Sequence, residues 1–93
     1  MNELEIAALK DQILKFLQKT GMGTDLDVIK KDVSLFSIPK GIVKACAEEM
    51  DYDQVIIFHA VEGDGGFLIL NDKGHKFLVA GGYSKPIKDK LNQ

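Results

Sequence analysis

A chain of 93 residues with 45% hydrophobic and 28% charged residues has the composition of one globular domain, which excludes wholesale disorder. The formal net charge is only −2, and a single cysteine, Cys46, excludes an internal disulfide framework. No apolar run approaches the roughly 18 residues that a membrane-spanning helix needs, and the acids Glu3 and Glu5 do not fit a signal peptide, so the expected compartment is the cytoplasm.

The first predicted helix carries Ile6, Leu9, Ile13, Phe16 and Leu17 at spacings of three and four, which places them on one face. Lys10, Lys15 and Lys19 fall mostly on the other side, and Gly21 and Gly23 supply the stop. Thr24-Asp25-Leu26-Asp27 reads as a capping start for a second helix whose apolar stripe is Leu26, Ile29 and Val33. Ser34 to Ser37 reads as a turn anchored by Leu35 and Phe36. Pro39 opens a third helix, since proline suits the first turn and not the interior. Ile42, Val43, Cys46, Ala47 and Met50 form its apolar face, and Lys40, Lys44 and Glu48 share an outer stripe.

Val55 to Val61 is short, continuous, apolar and rich in β-branched residues, so it predicts a strand. Glu62-Gly63-Asp64-Gly65-Gly66 is the hairpin tip, and Phe67 to Leu70 returns. Asn71 and Asp72 cap a short helix through Phe77 and Leu78, ended by Gly81-Gly82. Residues 84–93 read as a polar, lysine-rich tail with room for a short helix over 86–91.

The stretch Phe67-Leu-Ile-Leu-Asn-Asp-Lys-Gly-His-Lys-Phe-Leu78 resembles the passage from wing strand to helix in small bacterial winged-helix proteins. The Gly81-Gly82-Tyr83 ending resembles short winged helix-turn-helix proteins of uncharacterised function from Bacteroidetes, and the resemblance spans roughly Glu3 to Tyr83. It implies an α+β winged helix-turn-helix over residues 1–83: three helices, a β-hairpin wing and a short C-terminal helix. It further implies a DNA-binding protein, a transcriptional regulator or mobile-element accessory protein, whose third helix enters the major groove of double-stranded DNA. Carried onto this chain, Ser37, Lys40, Lys44 and Gly41 face the DNA, and Lys30 and Lys31 reach phosphate.

The charge pattern departs from that family. The wing tip carries Glu62 and Asp64 and no base, the third helix ends in Glu48, Glu49, Asp51 and Asp53, and all twelve basic residues are lysines. Lysine neutralises phosphate, but the planar fork that reads guanine belongs to arginine. The alternative expectation is therefore a protein-interaction or dimerisation module on the same scaffold, a homodimer pairing through the apolar first helix or the hairpin edge.

Catalytic and cofactor chemistry finds little support. His59, His75 and Cys46 lack the close ligand pairs of a zinc site. The glycines around Asp64 lack the lysine and hydroxyl of a phosphate loop. The acids of residues 48–53 lack the spacing of a calcium loop. Ser34, Ser37 and Ser84 sit in no nucleophile elbow. The expectation is no enzyme, no metal and no cofactor.

Overall fold

The protein is described by a computed structural model over residues 2–21, 23–31, 35–63 and 65–92. Among these residues the order is α1 (Glu3–Thr20), β1 (Thr24–Asp25), α2 (Leu26–Ile29), α3 (Lys40–Tyr52), β2 (Ile56–Ala60), β3 (Gly66–Leu70), α4 (Asp72–Val79) and α5 (Ser84–Leu91). The class is α+β, with an antiparallel sheet ordered β1-β3-β2. Val33 and Ser34, expected in the second helix and the following turn, and Asp64 of the hairpin tip lie outside the described residues.

Helix α1 starts on a reciprocal cap. The Asn2 side chain accepts from the Glu5 N–H at 2.8 Å, and the Glu5 carboxylate accepts from the Asn2 N–H. Its apolar stripe is buried, with Leu9, Ile13, Leu14 and Leu17 all in the core. They meet Val43, Cys46, Ala47 and Met50 of α3, Leu26 and Ile29 of α2, and Ile56 and Leu68 of the sheet.

Three expectations change. The second helix does not begin at Thr24. Thr24 is buried and pairs with Leu68 as strand β1, and Asp25 caps the single turn α2, accepting from the Asp27 N–H at 3.1 Å. The pattern hid this strand because two residues show no periodicity, and only the edge of β3 makes them a strand. The sheet therefore has three strands rather than the two of a lone hairpin.

The third concerns residues 84–93, expected as a polar, lysine-rich tail with room for a short helix over 86–91. Residues Ser84–Leu91 form α5, which packs on α1. Asp11 of α1, 5% exposed, holds its N-terminus. The carboxylate accepts from the Tyr83 N–H at 2.7 Å, the Ser84 N–H at 3.1 Å and the Ser84 hydroxyl at 2.5 Å. A buried charge is tolerable only when it is partnered in this way. Gly82 (φ +70°) makes the approach possible, since a Cβ there would overlap the Asp11 carboxylate.

Helix α4 begins on the expected cap, with Asn71 accepting from the Gly74 N–H at 2.7 Å. Gly74 is required at that position, because a Cβ would overlap the Val55 carbonyl oxygen. We expect Gly74→Ala to destabilise by about 2 kcal/mol or more, since the obstruction is backbone, read by chemical denaturation. Asp11→Ala is expected to cost about 2–3 kcal/mol and to speed amide exchange selectively across residues 84–91.

Candidate functional site

The residues assigned to nucleic acid lie around α2, the following turn and α3. Ser37 and Lys31 are exposed. Lys30 turns inward and donates to the carbonyls of Leu35 (2.9 Å), Phe36 (2.8 Å) and Ile38, so its ammonium closes the turn before α3. Lys40 pairs with Asp27 of α2. Lys44 donates to the Gly63 carbonyl at 2.5 Å, drawing the hairpin tip onto α3. Thus Lys30, Lys40 and Lys44 all have partners within the chain.

This leaves Gly41, Ala45, Glu48 and Tyr52 as an exposed stripe along α3, at spacings of four, three and four. None is basic, and the flanking Glu49 binds Lys10 at 2.6 Å. This stripe of the helix expected to read DNA is small, apolar and acidic, and the half-exposed Lys40 and Lys44 beside it are drawn to Asp27 and Gly63.

The hairpin presents a second surface. Period-two alternation sends Ile56, Phe58 and Leu68 into the interior. Ile57, His59 and Val61 of the first arm and Phe67 and Ile69 of the second occupy the opposite phase, where Ile57 pairs with Ile69 and His59 with Phe67. On this outer face Ile57 is 42%, Val61 58% and Phe67 40% exposed. The face was legible in outline: an unbroken apolar run predicts apolar side chains on both sides of a strand.

The β2 edge is protected. The Phe58 N–H donates to the Asp51 carboxylate at 3.1 Å, so a backbone donor on that edge is already used. The first helix is likewise unavailable as an apolar dimer surface. Leu9, Ile13 and Leu17 of its stripe are in the core, Ile6 and Phe16 pack half-buried against it, and Glu5, Ala8, Lys15 and Lys19 face outward.

Tyr83, which the sequence offers only as the close of the Gly81-Gly82-Tyr83 ending, ties four elements together. Its ring meets Phe77 edge-on at 4.7 Å between centroids, Lys10 sits 4.8 Å over it, and its hydroxyl donates to Asp53 at 2.7 Å. Burial, and then the hydrogen bond to Asp53, push the phenol above its ordinary value. Burial also raises the Cys46 thiol, against a smaller opposing pull from Lys10, so the buried sulfur is a core group. Between α1 and α4 an open cavity of about 360 Å³ is lined by Leu17, Gly23, Ile69, Asn71 and the hydrogen-bonded pair Gln18 and His75, 3.2 Å apart. Among the described residues no three His, Cys, Asp or Glu converge as a metal site, and no helix is long and apolar enough to cross a membrane.

Comparison with protein-family models, with curated proteins and with solved structures gives no match for this chain.

The raised Tyr83 group has a defined sign. A phenol whose folded value lies above its unfolded one contributes stability below about pH 10, lost as pH rises through the folded value. Wild type is therefore expected to lose melting temperature at alkaline pH, and Tyr83→Phe to flatten part of that loss.

Proposed function

We propose that this chain is a protein-interaction domain on a winged-helix layout, with the outer face of the β2–β3 hairpin as its contact surface. The order of α1, β1, α2 and α3 before the hairpin, and the strand order β1-β3-β2, are compatible with that layout, with the hairpin as wing. The observation that carries the reading is the convergence of Ile57, Val61 and Phe67 on one exposed sheet face. Large exposed apolar patches on small domains mark interaction sites. The electrostatics agree. Nucleic-acid affinity rests on cations that meet phosphate, and here Lys30, Lys40 and Lys44 bind the chain itself.

The DNA-binding reading keeps one observation in its favour. The Lys40–Asp27 pair is exposed, with 36% and 64% of the two side chains accessible. Exposed pairs contribute only about 0–1 kcal/mol, so phosphate can compete for Lys40, with Lys31 and Ser37 nearby in sequence.

Two measurements separate the readings. Fluorescence anisotropy with duplex DNA at about 50 mM salt, where phosphate contacts are strongest, is expected to give no saturable binding. Photo-crosslinking residues placed at positions 57 and 67, in cells that make the protein, are expected to give discrete protein adducts that position 48 does not. Tight DNA binding lost in Lys40→Glu and Lys44→Glu, with no adducts at 57 or 67, would sink the proposal.

A further inference from the structure

We infer that the occupant of the outer sheet face is a second copy of this chain, packed sheet on sheet about a two-fold axis. The inference rests on the protein-interaction reading and names the partner for that same face.

The argument is one of self-complementarity. Phe67 lies at the middle of a row across the sheet, paired with Asp25 of β1 on one side and His59 of β2 on the other. Asp25 and His59 are exposed, and they differ in character: one is a carboxylate that caps α2 through one oxygen and has a second oxygen to accept with, the other an imidazole that donates through a ring N–H. A two-fold axis running along β3 between facing copies lays Phe67 over its own equivalent. The same operation carries Asp25 of one copy onto His59 of the other, and the reverse. An isologous contact demands this reciprocity, in which residue i meets j and j meets i.

The apolar residues fit the same operation. Ile69 faces its own equivalent, and Ile57 of one copy lies over Gly23 of the other, where the Phe67 ring and Ile69 rest, so these facing surfaces interdigitate as sandwich sheets do at about 10 Å separation. Two other routes to a symmetric pair are disfavoured. Asp51 takes the Phe58 N–H on the β2 edge, which opposes edge-to-edge pairing. Most of the apolar stripe of α1, Leu9, Ile13 and Leu17, is in the core. A small domain that buries only a modest share of its surface alone gains stability from such pairing.

Sedimentation equilibrium on the full chain from about 5 to about 500 μM tests the inference. The expected result is a reversible monomer–dimer equilibrium. Ile57→Lys and Phe67→Asp are each expected to weaken it by at least about tenfold while helical circular dichroism is retained. His59→Glu sets like charges against Asp25 of the facing copy and is expected to weaken the dimer, whereas His59→Lys is expected to preserve it. A chain still monomeric at about 500 μM overturns the inference, as does a dimer indifferent to both Ile57→Lys and Phe67→Asp. A monomer whose positions 57 and 67 still crosslink to a different protein removes the second copy and leaves the protein-interaction reading intact. A monomer with no adduct at either position removes both.

Discussion

Strand β3 carries apolar side chains on both of its faces, and the interior has room for one set. Leu68 goes inward against α1 and α3, while Phe67 and its neighbour Ile57 stand outside. The choice is forced, because a one-residue slip in register would exchange the two sets. With Thr24 and Phe58 both aligned to Leu68, the register is held from both sides. An apolar outer face is the consequence, and the proposed function follows from it.

The lysines show how position in sequence and availability in space diverge. Lys30, Lys40 and Lys44 sit where a helix-turn-helix would meet phosphate, and each is drawn to an acceptor of its own chain. The turn before α3 directs several carbonyls toward one point, and an ammonium with three donors is suited to fill it. Lys44 does comparable work at the hairpin tip, tying α3 to the wing. The cations thereby organise the scaffold, and the outer stripe of α3 is left without a base.

At the other end, the chain closes on itself through a buried carboxylate. Asp11 gathers the first donors of α5, and Tyr83 beside it joins α1, the end of α3 and α4 through one ring and one hydroxyl. The acids of residues 48–53, which look in the sequence like a solvated helix end, divide their roles. Asp51 guards the β2 edge, Asp53 receives Tyr83, and Glu49 binds Lys10.

Local chemistry determined much of this protein. The spacing of Leu9, Ile13 and Leu17, the proline before α3, the β-branched run of β2 and the Asn71 cap each act within a few residues, so those elements are legible without the fold. Tertiary structure alone decided what joins residues far apart: β1, which is a strand only because β3 lies beside it, and α5, anchored by a carboxylate 73 residues earlier. It also decided which lysines find partners and which apolar face stays uncovered. Those outcomes depend on groups that meet only after the chain has closed, and no periodicity records such a meeting.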